Sequence, residues 1–200
     1  MRLIPGAALL VALAAAVVVP PAHALTVIPP TFEQLVSTAE IVVDGEVTDV
    51  RSELSSFRGR PLVYTYVTIR VLDALKGGPG ESIELRMLGG TVGDVTLHVS
   101  GVPKFRVGER NLFFIEGNGT NFCPLVAVTH GFYPVAERDS DGAEVVLRSN
   151  GEPLEETAEV AGEFHGHARA HGAKGDVGRA MTLSVFKSRI RSEVAHAREQ

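Results

Sequence analysis

A chain of 200 residues with 19 Lys and Arg against 24 Asp and Glu carries a formal charge of −5. That balance speaks against nucleic acid as a partner, because phosphate binding rests on an excess of basic side chains. Cys123 is the single cysteine, which excludes an intramolecular disulfide, so stability must come from packing in one domain long enough to bury a core.

The first 24 residues read as a secretory signal peptide. Arg2 supplies a positive start, Leu3 to Val19 an apolar run, Pro20-Pro21 a break, and Ala22-His23-Ala24 the small-x-small form that a signal peptidase cuts. Cleavage between Ala24 and Leu25 makes the chain an exported protein, periplasmic or extracellular, with no membrane span remaining. An uncleaved anchor is the competing reading, since the run approaches the length that crosses a bilayer. The Ala-rich run and the peptidase site argue against it.

In the mature chain, Thr31-Phe32-Glu33-Gln34 has the form of a capping box and predicts a short helix from about Phe32 to Ala39. Ile41 to Thr48 alternates with the period of two that marks a half-buried strand, and Ser52 to Pro61 reads as a loop on its Ser, Gly and Pro content. The longest alternation runs from Leu62 to Leu75, with Val63, Val67, Ile69 and Val71 on one face and Tyr64, Tyr66, Thr68 and Arg70 on the other. A strand of that length must bend or coil. Shorter strands follow at Ser82 to Leu88 and Val95 to Val99. Leu112-Phe113-Phe114-Ile115 is apolar on both faces and so predicts a central strand. Phe122 to Thr129, Phe132 to Glu137 and Ala143 to Leu147 predict further strands, the last two joined by the turn Asp139-Ser140-Asp141-Gly142. Residues 149–180 lack a sustained apolar period and read as a flexible linker rich in Gly, Ala and His, with a helical turn allowed in Leu154 to Ala161. Leu183, Phe186, Ile190 and Val194 recur at helical spacing, so residues 181–200 predict an amphipathic helix capped by Thr182 or Ser184.

Three stretches carry a resemblance: Ala39 to Val47, then Tyr64 to Val71 running into Leu75-Lys76-Gly77, and Val107 to Phe114. Their succession resembles the netrin-like, or metalloprotease-inhibitor-like, form of the five-stranded OB barrel, as in small exported bacterial proteins. The resemblance implies a mainly β fold over 25–148, an OB-like antiparallel barrel with a short N-terminal helix and the C-terminal amphipathic helix. It also implies a docking module whose loops and N-terminal segment meet an exported protein or envelope component, a metalloprotease among the candidates. In the inhibitor family an N-terminal cysteine chelates the target's zinc. Leu25 stands at that end here, which removes the basis for that mechanism. The contact candidates are Leu25, Thr26 and Val27 at the exposed start, and Tyr64 and Tyr66 on the long strand.

Chemistry-bearing patterns are sparse. His165, His167 and His171, with Glu163 nearby, are the candidate ligands for zinc or copper, because imidazoles bind both. A solvated His-rich linker is the plainer reading. Glu137, Asp139 and Asp141 before Gly142 suggest a calcium loop, but Arg148 stands where a closing Glu is required. Cys123, in the apolar run Phe122-Cys123-Pro124-Leu125-Val126, reads as a buried, unreactive thiol. Asn118-Gly119-Thr120 matches a glycosylation sequon, and no hydrolase elbow, zinc helix or Cys-x-x-Cys pair occurs. The sequence therefore points to a non-enzymatic binding module, with metal carriage and protease inhibition as alternatives.

Overall fold

The computed structural model describes residues 28–162 and 177–199. Its first element, α1 (Phe32–Thr38), is closed at the front by the expected capping box. Gln34 N donates to Thr31 Oγ1 at 3.2 Å and Thr31 N to Gln34 Oε1 at 2.9 Å. At the other end Lys76 Nζ donates to the carbonyls of Val36 and Ser37 at 2.8 and 2.9 Å. A cation thus satisfies two orphan acceptors at the negative end of the helix.

Eight strands follow: β1 (Ile41–Phe57), β2 (Arg60–Lys76), β3 (Ser82–Leu88), β4 (Gly90–Val92), β5 (Val95–Leu97), β6 (Arg110–Ile115), β7 (Phe132–Glu137) and β8 (Glu144–Val146). Six form one antiparallel sheet in the order β3-β2-β1-β6-β7-β8, and β4 pairs with β5 as a separate hairpin. The fold is therefore mainly β, but the strand ladder does not close into a barrel among the described residues. The outer edge of β3 is met by the loop after β6 instead. Asn118 accepts from Arg86 N at 3.1 Å and donates to Glu84 O at 2.7 Å, and Leu88 N donates to Phe122 O at 2.7 Å. A side-chain amide stands in for the peptide that a closing strand would supply. The length of β1 is accommodated by register shifts at Val42/Val43, Asp44/Gly45 and Val47/Asp49, the irregularities that bend a strand.

Two expected elements are corrected. Ser52 to Pro61 is a two-stranded ribbon, not a loop, with pairs running to Phe57↔Arg60 and only Arg58 and Gly59 (φ 51° and 76°) turning the chain. A two-residue turn with both residues left-handed matches the twist of a hairpin, and pairing with β2 overrides the turn preference of Ser55 and Ser56. Phe122 to Thr129 forms a single bridge, Ile115↔Leu125, then a 3-10 turn over Val128–Gly131. Ala127 and Val128 have φ of 47° and 56°, which ends extended structure.

The sheet carries a core on each face. On one side Val42, Leu112, Phe114 and Tyr133 pack against α1 and α2 (Leu183–His196). On the other Val43, Val67, Ile69, Leu85, Phe113 and Ile115 pack with Phe105, Cys123 and Phe132. Strand β6 contributes to both, as its two-sided apolar run requires. Thr182 caps α2, and Phe186 lies 5.4 Å from the Tyr133 ring centroid and 5.8 Å from that of Phe32. Residues 149–162 are not a linker. Ser149, Asn150, Leu154 and Val160 are buried, Leu147 bridges Pro153, Met181 N donates to Leu154 O at 2.7 Å, and Thr157–Ala161 forms a 3-10 turn. Isolated apolar residues anchor this segment, and isolation leaves no period to read. No helix among the described residues is long and apolar enough to cross a membrane.

Candidate functional site

Beyond Tyr64, where β3 ends its pairing with β2, the β1–β2 hairpin continues as a ribbon to its Arg58-Gly59 turn. A lone two-stranded ribbon is marginal in water, and this one also presents Leu54 and Phe57 at 55% and 60% exposure. The Arg58 guanidinium lies 5.2 Å from the Phe57 ring centroid. At the base of the ribbon, on the outer face of the sheet, Tyr66 sits under Arg51 at 4.9 Å and Tyr64 under Arg86 at 4.8 Å. Arg51 also pairs with Glu84 at 2.5 Å and Glu53 at 3.1 Å. These carboxylates raise its already high pKa. Both half-buried tyrosines thus belong to a stacked arginine–tyrosine face, with their rings held by cations.

A cavity of about 260 Å³ opens where β4 and β5 cross the sheet as a strap. Val67, Met87 and Phe105, nearly fully buried, form its floor. Gly90 (φ 136°) carries the strap past this floor. A Cβ there would meet Thr65 Oγ1 at 2.4 Å and Ser52 Oγ at 2.6 Å, so only glycine fits.

A third cluster joins α2 to the sheet. Asp44, fully buried, accepts from Arg110 Nε and Nη2 at 2.8 Å each and from Lys187 Nζ at 3.0 Å. Lys187 also meets Asp73 at 2.5 Å, Arg191 meets Asp73 at 2.6 Å, and Arg110 pairs with Glu144. Burial by itself raises the Asp44 carboxyl, but the bonds from Arg110 and Lys187 outweigh it and hold the group below its ordinary value. Three cations face three carboxylates around an open cleft of about 430 Å³, an arrangement that neutralises itself and clamps α2 in place.

Cys123 is buried, and desolvation pushes its thiol up to about 12, which keeps it protonated and unreactive. His130 is buried in the 3-10 turn and its pKa falls to about 4. The Asp139–Gly142 segment is a hairpin turn, with Gly142 N donating to Arg138 O at 2.8 Å and Arg138 N to Ala143 O at 2.9 Å. Ala24, Leu25, Thr26 and Val27, and the candidate zinc or copper ligands His165, His167 and His171, lie outside the described residues. Among the described residues no group of three or more His, Cys, Asp or Glu is placed to hold a metal ion. Sequence reasoning missed the ribbon tip and the cavity. The Gly89-Gly90 pair is the one local signal for the cavity. Compared with known proteins, the chain matches no family model and no curated protein.

Proposed function

We propose that the chain is an exported, non-enzymatic binding module built on an OB-like plan, and that it meets a protein or envelope component through the β1–β2 ribbon. The observation that carries this reading is the ribbon itself. It projects past the sheet and exposes Leu54 and Phe57 beside Arg58, an apolar tip with a cationic rim, and phenylalanine and arginine are among the residue types enriched at protein interfaces. The OB-like plan is supported by the bent β1, shared between β2 and β6, and by the way Asn118 and Phe122 meet the far edge at β3. The non-enzymatic reading is supported by where the shifted thiol, imidazole and phenol lie. Cys123, His130 and Tyr133 are packed in the interior and line neither cavity, whereas catalytic groups face clefts.

A photo-reactive residue placed at Phe57, with Val185 on the exposed side of α2 as the control, tests the reading in the native envelope fraction. A discrete adduct from position 57 that is absent from position 185 is the expected result. The same adducts from both positions, or none from 57, refute it.

A further inference from the structure

We propose that the cavity beneath the β4–β5 strap binds a small amphipathic carboxylate, its apolar body on Met87 and Phe105 and its carboxylate at a rim formed by Lys104 and His98. This site lies apart from the ribbon tip, so it adds a ligand to the proposed docking role without depending on it.

Charge carries the first part of the argument. The chain has 24 acidic residues, yet among the described residues none lines this cavity, whereas Lys104 and His98 do. Both are exposed, and neither makes a hydrogen bond or ion pair with a described residue. Lys104 on the tetrahedral ammonium and His98 on its ring N–H therefore have donors to spare.

The inner hydroxyls fix the orientation. Thr65 Oγ1 donates to Gly89 O at 2.7 Å and lies 3.0 Å from Ser52 Oγ. A hydroxyl has one proton, so the Thr65 proton is committed to Gly89 and Ser52 must donate to Thr65. Only lone pairs face the interior from this pair, and lone pairs repel a carboxylate. The head therefore belongs at the rim, where charge-assisted bonds are available, and the tail on the apolar floor. A volume of about 260 Å³ falls below the roughly 300–1,000 Å³ of pockets for drug-sized ligands. It suits a short single chain or one ring and is too small for a two-chain lipid.

The methionines supply a local probe. Of the three in the chain, Met87 floors the cavity and Met181 lies in the helix-side core. Titration of octanoate into the purified protein with labelled methionine methyls is expected to shift Met87 saturably and leave Met181 in place, with calorimetry giving one site. Octylammonium is expected to bind at least about tenfold more weakly, the worth of a charge-assisted bond. The double substitution Lys104→Gln/His98→Gln lies on the surface. It is expected to weaken octanoate about tenfold and to abolish the preference over octylammonium without changing thermal unfolding. Val99→Trp fills the cavity and is expected to remove binding of both. Should that variant fail to fold, the wild-type methyl shifts and the rim variant still decide the matter. An unmoved Met87, equal binding of the two amphiphiles, or an unchanged preference in the rim variant overturns the proposal.

Discussion

The buried His130 should make this protein progressively less stable as pH falls from near neutral towards about 4. The ring is buried in the turn that leads into β7. Burial is the main cause of its lowered pKa, the charge of Arg148 adds to it, and a hydrogen bond with the backbone of Val160 opposes both. The drop from 6.5 to about 4, at roughly 1.4 kcal/mol per pH unit, is on the order of 3 kcal/mol. The sign follows from which state takes up the proton. The unfolded chain binds it near the ordinary value and the folded chain only near pH 4, so the contribution is complete above the ordinary value and is lost as pH falls towards 4. Urea unfolding measured from about pH 7 to about pH 4 should show the loss in the wild type. His130→Gln, which stays neutral, should be flat down to about pH 5. Asp44 and Asp73, held below the ordinary carboxylate value of 3.8 by their cations, and Glu33, held below 4.5 by hydrogen bonds with its own backbone and Thr31, begin to lose their contributions as pH nears those ordinary values, so the comparison is decided above about pH 5. An equal slope in the variant and the wild type, or a His130 ring signal that titrates near its ordinary value, refutes the reasoning.

Asp44→Ala removes the carboxylate shared by Arg110 and Lys187, which keep Glu144 and Asp73 as partners, and should cost about 1.5–3 kcal/mol in chemical denaturation. Lys187→Met should cost less, because Arg110 still neutralises Asp44. Phe186→Ala removes the ring between Phe32, Phe114 and Tyr133 and should cost about 3–5 kcal/mol by the same assay. Leu54→Ser with Phe57→Ser should move stability by no more than about 0.5 kcal/mol. Affinity for the crosslinked partner should nevertheless fall, as a binding titration would register. Cys123 should resist a thiol reagent in the native protein and react fully in denaturant, read by mass shift.

The cap of α1, the spacing of Leu183, Phe186, Ile190 and Val194, and the two-sided run of β6 were legible because each is written within a few consecutive residues. Capping and periodicity act locally. The ribbon was not legible, since Ser55, Ser56 and Gly59 favour a turn when read alone and become strand only when β2 lies alongside. Leu154 and Val160 were passed over because single apolar residues show no period, although the core collects them. The cavity joins Ser52, Thr65, Gly90 and Lys104 from separate stretches, and no motif links them.

A single cysteine, an apolar opening run and a succession of alternating segments follow from the sequence by itself, because composition and short-range pattern suffice to specify them. Tertiary structure alone decided that the ladder stays open, with Asn118 facing β3, and that Asp44 is shared by Arg110 and Lys187. It alone raised the tip of β1 and β2 clear of the sheet. Each of these depends on which distant residues meet. Contacts across such separations are set by closure of the chain and burial of both sheet faces, not by any local preference.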